Sequence, residues 1–412
     1  MTTRDDVRSA FQYGLLIFTL TALLGLANAT QLFGTLDRAT LLTHLHSGTL
    51  GWITMGVIGL AIWMFGGSGK NIAVRLSALS TAAYVLAFWS NNIYARATFG
   101  VTELLVVYYW WWWVVSRGRA EGFGQLDIPK LCLAFGLTTL AVGSSIGVLV
   151  QVLLASGGVL PSGTDLVGAH ASAQTGGYLV LVAAGVIEWQ LRGAGARSTA
   201  GLAQVALLFT GGLVLSFSLL LAAQLGPQLS QALPGIATLL TLAGSIIVAV
   251  RLGRAAMSVS WTSGGKRFVA IAVPFLIAAV IFQFLLVQQF IAAQGDITKV
   301  SIGLLHSLDH SYFVGLMTNV LFGSALIFLA DRPRAWPRAD SVIFWGLNLG
   351  AVAFIAVLLT AGSGEGKAAF SHPVAFTAPI MGLSALLGIA TLLLRLQNAT
   401  AADTTAAAPM RA

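Results

Sequence analysis

Histidine is the residue with which this chain can do chemistry: six histidines stand against one cysteine in 412 residues. His44 and His46 fall in THLHSGTLGW, His170 in GAHASAQTGGY, His306 and His310 in LLHSLDHSYFVG, and His372 in SHPVAF. A neutral imidazole is a good ligand for heme iron and for copper. A lone Cys132 rules out intrachain disulfides, cysteine-built zinc or iron–sulfur sites and a covalent CxxCH heme attachment. His306 and His310 are four residues apart, about 40° around a helix, and so share one face. Asp309 between them is an acceptor that would fix a ring tautomer, or else a residue facing water near a helix end.

Composition says what must position these rings. With a mean hydropathy of +0.85, 57% hydrophobic and 9% charged residues, the chain belongs in a bilayer. Apolar runs of about 20 residues, long enough to cross the hydrocarbon core, recur at 11–32, 41–66, 72–96, 98–116, 131–155, 166–190, 201–223, 232–250, 268–293, 301–329, 341–361 and 374–396. They are continuous, not alternating, which excludes a closed β-barrel. The expected fold is an all-α polytopic membrane protein of about twelve transmembrane helices. Residues 1–399 form one membrane domain, and the Ala/Thr-rich segment 400–412 is read as a disordered tail. The net charge of +8 does not signal nucleic acid, because the basic residues are dispersed among short loops. Eighteen of the 22 Lys and Arg fall on the side that holds both termini. By the positive-inside rule both termini are then cytoplasmic, in a bacterial-type inner membrane. The apolar stretch after the polar first ten residues is long enough to span, so it reads as the first helix and not as a cleaved signal.

With that topology the even-numbered spans run inward. All six histidines stand at or near the starts of such spans, in the outer part of the membrane: spans two, six and ten, with His372 just before span twelve. Laying His44 on His170 also aligns Thr49 with Thr175, Gly51 with Gly177, Trp52 with Tyr178, Gly59 with Gly185 and Trp63 with Trp189. In the same frame His310 falls on His46, Gly315 on Gly51, Thr318 on Thr54 and Gly323 on Gly59. The chain reads as three pseudo-symmetric units of four helices, each with a histidine-bearing second helix.

This pattern resembles the catalytic subunit I of the heme–copper oxidase superfamily, in which twelve helices form a pseudo-threefold ring. Its heme and copper ligands come chiefly from the second, sixth, seventh and tenth helices. A local stretch, His44-Leu-His46-Ser-Gly-Thr-Leu-Gly51-Trp52, is similar to the HxHxxxxG[FW] stretch of NnrS-type membrane proteins, which contain heme and copper and are linked to nitric oxide metabolism. The resemblance implies a low-spin heme b ligated from span two, by His44 or His46, and from span ten, by His306 or His310. It places His170 at a copper-ligand position and implies an electron donor, quinol or a cytochrome c, and a small gaseous substrate or signal such as nitric oxide or oxygen.

The chain departs from the family in two places. Span seven, GLAQVALLFTGGLVLSFSLLLAA, lacks the family's adjacent copper-binding histidines, and the family's HxH on helix ten is replaced by the i,i+4 pair His306 and His310. A single heme, or a heme beside a metal held by His170, His372 and one of the paired histidines, fits the count. Proton-pumping oxygen reduction is not carried over. Glu103 and Glu188 are the other acids within spans. The first suggests proton conduction, and the second is expected to snorkel with Arg192. Trp110 to Trp113 reads as an interfacial belt, and Gly66-Gly67-Ser68-Gly69-Lys70 as a turn, not a phosphate loop. The rival class is a twelve-helix secondary transporter without heme, but such carriers repeat six plus six around a midplane site.

Overall fold

A run of apolar residues in a bilayer must satisfy its own backbone, and here it does so as helices. The computed structural model describes residues 2–193, 197–293, 296–334 and 336–406. Among them are twelve helical rods: α1 Thr3–Thr30, α2 Arg38–Phe65, α3 Asn71–Trp89, α4 Ile93–Glu121, α5 Ile128–Ala155, α6 166–192, α7 Thr199–Leu220, α8 Ala222–Met257, α9 Lys266–Ala292, α10 Ile302–Phe328, α11 Ala339–Ala361 and α12 Val374–Ala406. Ten of them are long and apolar enough to cross a membrane by length and composition. The other two are α4, diluted by Arg96, Glu103 and a Tyr/Trp-rich half, and α6, diluted by His170, Gln174 and the small polar residues between and after them. Residues 407–412 of the expected tail lie outside the described residues.

Helices adjacent in sequence pack side by side, and α12 returns against α1, so the ring closes. Its units are α1–α4, α5–α8 and α9–α12, and their second helices α2, α6 and α10 meet in the middle as the most deeply buried rods. Each of these three starts on a capped turn. Asp37 accepts from the Thr40 N–H at 2.7 Å, Asp165 from Gly168 at 2.7 Å and Ser301 from Leu304 at 3.2 Å, which satisfies an orphan donor of each first turn. That backbone hydrogen bond also holds the exposed Asp37 carboxyl below the usual carboxylate range.

Each central helix then widens into a π-helical segment, at Ser47–Thr54 in α2, Ala173–Leu179 in α6 and Ser311–Thr318 in α10. Widened turns of this kind concentrate at functional positions. Their starts lie three residues after 44, 170 and 308, which reproduces the repeat frame read from sequence. In two of the segments a threonine hydroxyl donates to a carbonyl five residues back, Thr54 to Thr49 at 3.0 Å and Thr318 to Phe313 at 2.8 Å. The units are also stitched across the centre. Trp52 Nε1 donates to Thr318 Oγ1 at 3.2 Å, and the Tyr178 hydroxyl to Thr54 Oγ1 at 3.3 Å.

Two expectations need correction. Glu188 does not pair with Arg192: its carboxylate takes a two-pronged ion pair from Arg251 of α8, at 2.5 and 2.9 Å, and the same guanidinium reaches Gln204 of α7 at 2.6 Å. A helix–helix pair wins over a snorkelling one because Glu188 is only 5% exposed. The tryptophan run is not wholly a belt either. Trp110 and Trp113 are buried in the core, with Trp110 Nε1 donating to Ser77 at 2.9 Å, and Trp112 alone of the four is well exposed. The 66–70 segment is a turn, as expected, with Gly66, Gly67 and Gly69 at positive φ.

Candidate functional site

The backbone fixes the tautomer of five histidines, and in four of them the proton is on Nδ1. A carbonyl can only accept, so a ring nitrogen facing one must carry the proton. His44 Nδ1–H donates to the Thr21 carbonyl of α1 at 2.9 Å, and His170 Nδ1–H to the Gly143 carbonyl of α5 at 2.7 Å. His46 Nδ1–H donates to Leu42 and His310 Nδ1–H to His306, both four residues back on their own helices and both at 2.8 Å. In all four the Nε2 lone pair is left without a hydrogen bond among the described residues. A ring held at Nδ1 by a carbonyl with a free Nε2 is the arrangement of metal-ligating and heme-ligating histidines.

These bonds sort the histidines into two positions of the repeat. At the first, held from the preceding helix, stand His44, His170 and, in the third unit, Leu308. At the second, held from its own helix, stand His46, Ser172 and His310. The first position is a built cradle. A glycine one turn beyond the accepting carbonyl lets the ring lie against the neighbouring helix: a Cβ on Gly25 would sit 2.8 Å from His44 Cε1, and one on Gly147 2.7 Å from His170 Nδ1. Only a residue without a side chain admits that approach.

Two cavities open where the units meet. Cavity 1, about 360 Å³, lies between α1 and α2 on one side and α10, α11 and α12 on the other, and takes in His44, His306 and His310. Cavity 2, about 570 Å³, lies between α2, α3 and α4 and the pair α5 and α6, against α10, and takes in His46 and His170. Both volumes are of cofactor-site size, and both linings are mainly apolar. Leu42, Leu45, Thr49, Asp309 and Phe313 line both cavities and form the wall between them. Arg38 also faces both, at the histidine end of the bundle, with no ion-pair partner among the described residues.

The structure brings His44, His306 and His310 together, and separately His46 and His170. His306 and His310 do share a face, as their spacing implies, but only the His310 ring is fixed: His306 has no side-chain hydrogen bond among the described residues. His372 lines neither cavity. It sits in the α11–α12 loop, where Nε2–H donates to the Ala361 carbonyl at 3.1 Å and Nδ1 accepts from the Val374 N–H at 3.3 Å, so both ring nitrogens are used. Among the described residues no three His, Cys, Asp or Glu side chains are placed to share one metal ion. The donor set therefore does not fit a copper ion held by His170 and His372, and each cavity instead has two imidazoles on different helices with Nε2 free in a mainly apolar lining. Asp309 bonds no histidine ring, since backbone carbonyls do that work. Glu103, 3% exposed, lines cavity 2 and accepts from Thr81 at 2.9 Å.

Reading the sequence missed Arg38, Gly25 and Gly147, and the separation of His44 from His46. The last was available as a signal: residues two apart on a helix point about 200° apart and serve two different sites. The carbonyl partners carry no side-chain signal at all.

The sequence matches no protein-family model and no curated protein. The structure is similar to that of a heme–copper terminal oxidase solved as a dimer by cryo-electron microscopy, with a TM-score of 0.69, 12% sequence identity, 99% of this chain covered and 84% of that chain. The ring of twelve helices is thus a heme–copper oxidase subunit I-like fold.

Proposed function

We propose that this chain is a heme-binding redox protein of the inner membrane, with a heme b in cavity 1 between His44 of α2 and His310 of α10. The observation that carries this reading is the pair of rings facing one apolar cavity from opposite helices, each locked at Nδ1 by a backbone carbonyl and offering Nε2. When bound there, heme supplies one-electron chemistry and an iron that a small gas can reach if a ligand yields. The chain's own residues set the terms. Thr21 and His306 lend carbonyls that hold the two imidazoles, Gly25 makes room for one of them, and Arg38 offers a cation at the mouth for the propionates. His306, one turn from His310 on the same face and free of hydrogen bonds, is the exchangeable neighbour through which a small ligand such as nitric oxide gains access. The likeness of the His44–Trp52 stretch to NnrS-type proteins supports that choice of gas. Electrons arrive from quinol or from a cytochrome c. Both termini are cytoplasmic by the charge distribution, which puts the cavities in the outer leaflet.

Oxygen reduction is not the expected activity. In the family pattern the reaction centre lies among helices six, seven and ten, and in this chain that region is filled. Tyr312 of α10 is fully buried and donates its hydroxyl to Gln283 of α9, and a Cβ on Gly176 of α6 would meet Gln283 Nε2 at 2.9 Å. The experiment is purification with heme supplied, followed by a pyridine hemochromogen assay and replacement of each histidine. Heme b in the wild type, lost from cavity 1 on His44→Ala and His310→Ala but kept on His306→Ala and His372→Ala, is expected. A colourless wild type would favour a transporter and end this reading, and rapid oxygen consumption would overturn the assignment of the filled sector.

A further inference from the structure

We infer that cavity 2 is a second tetrapyrrole site, with His46 and His170 as its two axial ligands. This pairing is not carried over from the resemblance, which places His170 at a copper-ligand position. It comes from the pairing rule of the repeat. Cavity 1 combines a first-position histidine of one unit, His44, with a second-position histidine of its neighbour, His310. Moving one unit around the ring turns that pair into His170 and His46. The equivalence extends to the hydrogen bonds. The first-position rings are held from the preceding helix by Thr21 and by Gly143, with a glycine four residues further on in both cases. The second-position rings are held by carbonyls four residues back, Leu42 and His306. A sequence that builds the same two-sided clamp twice, in the same tautomer, places the same kind of ligand in both.

Cavity 2 is also furnished for a planar dicarboxylic cofactor. At about 570 Å³ it is the larger of the two. His46 stacks on Phe88, with ring centroids 3.8 Å apart and 16° between planes, and Arg96 lies 5.6 Å over the other partner of that stack. The Arg96 guanidinium reaches Asn91 at 3.1 Å, but its buried Nε has no partner. Arg96 thus gives cavity 2 a cation of its own for a propionate, and Arg38, which lines both cavities, is shared with cavity 1. Cavity 2 has no third histidine to stand beside its pair as His306 stands beside His310, so a tetrapyrrole held there would supply electron transfer and not gas binding. The wall of Leu42, Leu45, Thr49, Asp309 and Phe313 is one side-chain layer shared with cavity 1. Because α2 would contribute one ligand to each site, an electron lost by iron in one cavity would reduce iron in the other across that wall, with no bond made or broken.

This inference uses the pairing seen in cavity 1 but does not require cavity 1 to be filled, and the test separates the two. The heme-to-protein ratio of detergent-purified, monodisperse protein is measured by pyridine hemochromogen, with iron and copper counted in parallel. Two hemes per chain are expected in the wild type. His46→Ala and His170→Ala should each fall to one, with imidazole in the buffer restoring the second. His170→Met, a milder replacement that keeps a ligand, should move one of two redox components to higher potential and leave the other in place. One heme that survives His46→Ala and His170→Ala but is lost on His44→Ala overturns this inference and leaves the proposed function standing. The reverse pattern upholds cavity 2 and overturns cavity 1. Stoichiometric copper lost on His46→Ala, with a single heme present, overturns the tetrapyrrole assignment.

Discussion

The three unit boundaries share one backbone design, but only two of them carry ligands. At the boundaries around cavities 1 and 2, each first-position histidine faces a second-position histidine. At the third, between α5–α8 and α9–α12, the same positions hold Leu308 and Ser172. The central stitching follows the same division. Trp52 reaches Thr318 and Tyr178 reaches Thr54, whereas the equivalent pair at the third boundary is Leu316 and Val180, both apolar and fully buried. All three central helices nonetheless keep their π-helical segments. The repeat thus supplies the capped and widened central helices, and side-chain identity decides whether a boundary carries facing imidazoles or packed apolar side chains.

The comparison breaks most visibly at the cradle glycines. Gly25→Leu and Gly147→Leu each put a side chain where a histidine ring now lies, and each is expected to remove its own heme, about half of the total, while leaving the other. Absorption and hemochromogen assays read this directly, and full heme content in both variants would show that the cradles do not position ligands. A smaller effect is expected from Leu308→His. It restores a first-position imidazole at the third boundary, but Ser172 offers no partner and Tyr312 with Gln283 fills the space. Heme content should not rise, and burying an unpaired imidazole should cost about 1–3 kcal/mol. A third heme would contradict the distinction drawn here. The smallest effect belongs to Tyr178→Phe, which removes one 3.3 Å hydrogen bond between units. A loss of about 1 kcal/mol in thermal or denaturant unfolding, with heme retained, is expected.

What was legible in the sequence is what depends on local pattern. Twelve apolar runs gave twelve helices because a bilayer leaves the backbone no alternative. The fourfold spacing of His, Gly and aromatic residues appeared as three units because register survives folding unchanged. The shared face of His306 and His310 followed from their separation of four. Other features depend on what one helix presents to another. The carbonyls of Thr21 and Gly143 are chemically silent in a sequence, yet they decide which nitrogen of His44 and His170 is free. His372 has the residue type and depth of a ligand, but its loop turns both nitrogens onto the backbone. Glu188 found Arg251, 63 residues away, because tertiary proximity outweighs a neighbour four residues along the chain. The burial of Trp110 and Trp113 reflects which side of α4 meets the core, which an unbroken aromatic run conceals.

The central claim is that α2 gives one imidazole to each of two cofactors, His44 to one and His46 to the other. The most direct measurement is the heme content of the His44→Ala/His46→Ala double variant, set beside a His306→Ala/His372→Ala double variant purified in the same way. The first should elute as a folded, colourless protein and the second should keep the full wild-type complement. Heme retained in the first at half the wild-type level or more would contradict the claim.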